Sequence, residues 1–175
     1  MRALAPFALT VTLCACSSST SSSGTQSGSD GGPQGDAAAA CSSLQLGAGT
    51  IIPLLRAPPP APTPRGGTIP DGTYEVSRYT FYSTGTIPGK SQRGTLRFTG
   101  NEVEWSSLPD GSAGFVRKYT YSISGSSLAL QCVCTQKGPE CGPSDSKSIT
   151  FSVTGSDISL YDSVQVEVTQ YTRQL

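Results

Sequence analysis

The chain contains no histidine, one methionine and one tryptophan, and only 14% of its 175 residues are charged. Without an imidazole there is no Ser-His-Asp triad, no Cys-His pair and no His-containing metal site. An excess of one sign of charge is missing as well, since 12 Lys and Arg balance 12 Asp and Glu. That balance gives no basic footprint for a nucleic acid, which is set aside as a partner. Also absent are a Cys-x-x-Cys redox motif, a supported Gly-x-Ser-x-Gly elbow and a glycine-rich phosphate loop between a strand and a helix. The expectation is a protein that is not an enzyme and needs no cofactor or metal.

What is present begins with an address. Residues 1–16 read MRALAPFALTVTLCAC: a positive Arg2, an apolar run, then small residues. The run is shorter than the ~20 residues that span a bilayer, and a polar tract follows it, so it marks export rather than a membrane helix. Its end, Leu13-Cys14-Ala15-Cys16, resembles the bacterial lipoprotein signal, an aliphatic residue and two small ones before the cysteine that receives lipid. The resemblance implies cleavage after residue 15, lipidation of Cys16 and attachment to the cell envelope. With Ser17 rather than Asp next, it implies the outer membrane.

Residues 16–40 form a tether. From 17 to 36, 15 of the 20 residues are Ser, Gly or Thr, so the segment has nothing to bury and is expected to stay disordered. Residues 41–70 are an apolar segment followed by a Pro-rich spacer. Leu44, Leu46, Ile51, Ile52, Leu54 and Leu55 either dock on the following domain or form a small recognition element, and their spacing fits neither a long helix nor a clean strand. Pro58, Pro59, Pro60, Pro62 and Pro64 favour polyproline II, a stiff spacer.

Residues 71–175 are expected to be all-β. Three segments share one pattern: two bulky residues at a spacing of two, Ser or Thr, Gly, polar residues, and two more bulky residues at a spacing of two. They centre on Gly100, Gly125 and Gly155. Period two puts both bulky pairs on one face, and Gly supplies the positive φ of a tight connection, so each is a hairpin. Strands are expected near 94–99 and 102–106, 116–123 and 127–135, and 148–153 and 157–161, with an opening strand at 73–82 and a last one at 164–172. Their alternate bulky residues, among them Val103, Ile123, Val153, Val164, Val166 and Val168, make the expected interior. Eight strands with short connections form an antiparallel up-and-down meander, which closure into a small barrel would relieve of its open edges.

Gly72-Thr73-Tyr74 at the first strand and Arg173 beside the last resemble the lipocalin-like, or calycin, barrels, which place Gly-x-Trp and a late Arg in these positions. The resemblance implies a lipocalin-like barrel able to hold one small apolar ligand, with Trp105, Tyr119 and Tyr121 as possible pocket lining.

Cys41, Cys132, Cys134 and Cys141 remain for disulfides in an exported protein. Cys132 and Cys134, two apart on a strand, are expected to face the same way, too far apart to bond each other without strain. One therefore goes to Cys141 and the other to Cys41. A four-thiolate zinc site matches no usual spacing. Glu102, Glu104, Arg117 and Lys118 are expected to be solvent-facing charges. Function is expected to be structural or protein-interacting, through an envelope protein partner; the alternative is carriage of a small apolar ligand.

Overall fold

The computed structural model describes residues 41–86, 89–142, 145–162 and 166–175. The address, Cys16 and the tether lie outside the described residues, as does Val164. Among the described residues no helix is long and apolar enough to cross a membrane.

The described residues carry nine strands: β1 (Ile52–Ala57), β2 (Gly72–Tyr82), β3 (Ser91–Thr99), β4 (Glu102–Pro109), β5 (Phe115–Ser124), β6 (Ser127–Lys137), β7 (Ser146–Thr154), β8 (Asp157–Asp162) and β9 (Glu167–Arg173). From β2 to β9 each strand pairs antiparallel with the next, and β9 pairs antiparallel with β2 from Tyr74↔Arg173 to Phe81↔Glu167.

Three two-residue connections begin with the expected glycines. Gly100, Gly125 and Gly155 have φ of 58°, 58° and 60°, and the flanking pairs Thr99↔Glu102, Ser124↔Ser127 and Thr154↔Asp157 close the hairpins. A Cβ at any of the three would meet nothing within 4 Å, so glycine is required by the backbone angle and not by crowding. Tyr74, Leu96, Phe98, Val103, Leu128, Phe151, Ile158 and Tyr171 form the core between the strands. Tyr74, Phe98 and Tyr121 meet edge to face, with centroids 5.8 and 5.3 Å apart. Ile69 joins this core ahead of β2, and the Tyr74 hydroxyl donates to Pro70 O at 2.7 Å.

The expected fold, eight antiparallel strands closed as a lipocalin-like barrel, is corrected by β1. The sheet is nine-stranded and mixed. β1 runs parallel to β2, with Leu54↔Tyr79 to Ala57↔Tyr82 in register, and antiparallel to β3 at Ile52↔Gln92 and Pro53↔Ser91. β2 and β3 pair with each other only from Gly72↔Phe98 to Glu75↔Thr95. Continued, that register would set Tyr79 opposite Ser91; β1 stands there instead. The seam that an up-and-down barrel keeps along its whole length is therefore occupied by a strand from the segment read as neither helix nor clean strand. Beyond it, the Pro-rich stretch leads to Gly66, which bonds the backbone of β7 through Gly66 N to Phe151 O and Val153 N to Gly66 O.

The cysteines bond as Cys41–Cys134 and Cys132–Cys141, with Cα separations of 5.9 and 5.8 Å. The expectation that Cys132 and Cys134 share a face is corrected. Tyr119 pairs with Cys132 and Lys118 with Cys134, so Val133 is a bulge between them. A bulge shifts the alternation by one residue, which turns Cys132 toward the core and Cys134 outward. Cys141 accordingly packs on the core. Cys41 anchors a segment on the outer surface, where Ser42 Oγ donates to Glu104 Oε2 at 2.8 Å and Ser106 Oγ donates to Gln45 O at 2.9 Å. Glu104, expected in solvent, thus holds Ser42 and Ser43, and Leu44 is buried.

The interior list is corrected at two positions. Val166 is 44% exposed at φ 53° before β9, and Ile123 is 40% exposed beside the Gly125 turn. Tyr171 is buried in the core instead, in register with Val76 and Ile158.

Gly125→Ala is expected to cost about 1–2 kcal/mol, the penalty of a left-handed non-glycine residue, seen as a lower urea midpoint at unchanged slope. Replacing Cys41 and Cys134 together by Ser is expected to cost roughly 2–5 kcal/mol and to expose the chain before β1 to limited proteolysis.

Candidate functional site

Where β1 parts β2 from β3, the strand ends farthest from the three glycine turns surround a cavity of about 430 Å³. Alternation within each strand supplies its walls: Tyr79 from β2, Gln92 from β3, Trp105 and Ser107 from β4, Lys147 and Ile149 from β7, Leu160 and Asp162 from β8, and Glu167, Thr169 and Tyr171 from β9. The volume falls within the range of small-molecule sites.

One wall is cationic and aromatic. Lys147 Nζ lies 3.9 Å from the Trp105 ring centroid, 5.3 Å from that of Tyr119 and 5.6 Å from that of Phe115. Trp105 meets Phe115 edge to face at 5.5 Å. Burial, reinforced by the positive Arg117, pulls the Lys147 ammonium down to about 8, against the opposing pull of Asp145. No ion pair or hydrogen bond holds this ammonium among the described residues. Lys118, on the outer face, has Glu102 at 2.7 Å.

Asp145 is engaged elsewhere. Its carboxylate lies 3.8 Å from Arg117 and accepts from Gly142 N at 2.8 Å, while Arg117 also donates to Pro139 O at 2.8 Å. Arg117, expected in solvent, instead points inward beside Tyr119 and ties the Cys141 loop to β5. Asp145 also lies near Cys132 and Cys141 in a grouping of metal-ligand type. Both sulfurs are bonded to each other there, so the grouping offers no thiolate while oxidised.

The opposite wall is acidic and hydroxylic. The Tyr79 hydroxyl donates to Glu167 Oε2 at 2.8 Å, and Gln92 Nε2 donates to Thr169 Oγ1 at 2.8 Å. Burial and this bond to Glu167 raise the Tyr79 phenol far above its ordinary value. It stays a donor throughout the physiological range.

Of the three aromatics read from the sequence, Trp105 lines this cavity. Tyr119 is buried beneath it, with its ring toward Lys147. Tyr121 lines a second groove with Asn101, Leu130 and Gln131, which shares Lys147 and Ser148 with the cavity. Sequence reasoning missed Lys147, Tyr79, Glu167 and Tyr171. A signal for Lys147 was available: it continues the inward alternation of Ile149, Phe151 and Val153.

Comparisons with protein families, curated proteins and solved structures gave no match to this chain. The lipocalin-like resemblance is corrected by the mixed nine-stranded sheet, although Arg173 does stand in register with Tyr74. The lipoprotein-signal resemblance gains no family, and its residues lie outside those described.

The depressed Lys147 implies a definite pH dependence. An unfolded lysine keeps its proton to about 10.4, whereas Lys147 in the folded chain gives it up near 8. The unfolded state therefore binds more protons in this interval, and stability rises as pH increases through it. Lys147→Met is expected to abolish that rise, checked by urea midpoints at pH 7.5 and 9.5.

Proposed function

We propose that this is an exported, disulfide-bonded binding module that takes up a small, largely apolar ligand in the cavity bounded by Trp105, Leu160, Tyr171 and Lys147. The observation that carries this is the cavity itself. A filled interior would have favoured a purely structural or protein-interaction role. Instead a space of about 430 Å³ is kept, in which Trp105, Ile149, Leu160 and Tyr171 supply apolar surface between polar residues that include Lys147, Gln92, Thr169 and Glu167. Two disulfides support an oxidising compartment as its workplace. Attachment to the cell envelope through lipid on Cys16 is part of the proposal and rests on the sequence of residues 1–17. In that arrangement the tether holds a ligand carrier near the membrane surface.

Trp105 is the sole tryptophan, so its fluorescence reports the site without interference. Titration with 1-octanol is expected to shift and quench this emission saturably. Thr169→Phe, which fills the cavity from β9, is expected to weaken binding at least tenfold while leaving the far-UV circular dichroism unchanged. Native mass spectrometry of protein from its own cells is expected to show a bound mass below about 500 Da. An unmoved emission and a bare apoprotein mass would reject ligand carriage.

A further inference from the structure

We infer that the occupant of this cavity is a small amphipathic acid, an apolar chain or ring bearing one carboxylate or sulfonate that pairs with the Lys147 ammonium. This rests on the ligand-binding reading of the same cavity and names the class of ligand.

The inference follows from how charge is distributed around the space. Lys147 is held against Trp105, Phe115 and Tyr119 with no acidic partner among the described residues. A half-buried charge in that position lacks the counter-charge that normally compensates its lost hydration. None of the nearby acids forms an ion pair with Lys147. Asp145 serves Arg117 and Gly142 N, and Glu167 accepts from Tyr79. Asp162 and Glu167 line the same cavity from β8 and β9, and neither contributes to the perturbation of Lys147, which comes from burial, Arg117 and Asp145.

Other ligand classes fit less well. A cationic ligand would meet Lys147, with Arg117 close behind it, and the aromatic faces that could receive it are already turned to Lys147. A neutral apolar ligand would strip more water from the ammonium and return nothing. An acid placed at the β4–β7 wall restores the missing counter-charge as a charge-assisted hydrogen bond. A second acid group would come up against Glu167 and Asp162, which is why the ligand carries one. Leu160, Ile149 and Tyr171 then face its apolar body.

The test compares octanoate, 1-octanol and octylamine by calorimetry on the oxidised protein. At pH 6.5 octanoate is expected to bind at least tenfold more tightly than octanol, and octylamine more weakly than either. The advantage of octanoate should decline as pH is raised from 8 to 10 and Lys147 loses its proton. Arg117, Asp145, Asp162 and Glu167 are the other charged groups around Lys147 and the cavity, and burial raises the Tyr79 and Tyr119 phenols, so both keep their protons over most of this interval. Lys147→Met should bind octanol as the parent does, which also verifies its fold, yet lose the preference for octanoate. Lys147→Arg should retain it. Equal binding of octanoate and octanol, a preference for octylamine, or an octanoate preference that persists in Lys147→Met would each overturn the acid inference while leaving the cavity reading standing. Failure of all three probes to bind would overturn both.

Discussion

The insertion of β1 between β2 and β3 is the constraint on which the rest of this structure depends. Adjacent strands lie about 4.8 Å apart, so a strand seated between two others holds them at about twice that distance. β2 and β3 are paired at Gly72–Glu75 and parted at Tyr79 and Gln92, and both of these side chains reach the cavity. The same sheet is closely filled at one end, where Tyr74, Phe98 and Ile69 meet, and hollow at the other. A strand that was not evident from periodicity thus sets where the space lies.

Keeping β1 in place needs help, because it offers little side-chain burial of its own. Leu54 is buried, but Leu55 is exposed and Ile52 is half-buried. The covalent anchor at Cys41 lies eleven positions before β1, and it depends on the bulge at Val133. Without the bulge, Cys132 and Cys134 would project to one side, and the two bonds could not run one to the core side and one to the outer surface. The bulge therefore couples two regions. Through Cys134 it fixes the segment leading into β1, and through Cys132 it fixes the Cys141 loop that Arg117 and Asp145 hold.

Much of the meander could be read directly from the residues, because each hairpin states itself twice, in the alternation of bulky side chains and in the glycine that begins its turn. Gly100, Gly125 and Gly155 are examples in which local chemistry and long-range pairing agree. β1 could not be read this way. IPLLRA has no alternation, and its partners are a parallel strand and a split seam, neither of which leaves a local pattern. The cysteine faces failed for a related reason: a bulge shifts the register by one residue and is invisible to a period-two count. The site was half legible. Trp105 stands out as the sole tryptophan and sits on an inward position, whereas Lys147 was overlooked because its charge suggested solvent, although its alternation with Ile149 and Phe151 placed it inside.

That conflict between residue type and position is informative in itself. A folded protein gains nothing in stability from drawing a lysine ammonium out of water onto three aromatic rings beside an arginine, since each unit by which its pKa is lowered reports free energy lost on folding at neutral pH. Contact with the Trp105 face offsets part of that loss. Methionine would fill the same volume without it. Local rules broken at one inward position, next to a space that the surrounding side chains do not fill, mark where a sequence serves something other than its own folding. Here the cost and the cavity coincide on β7, and a bound anion is the one addition that would relieve the first while occupying the second.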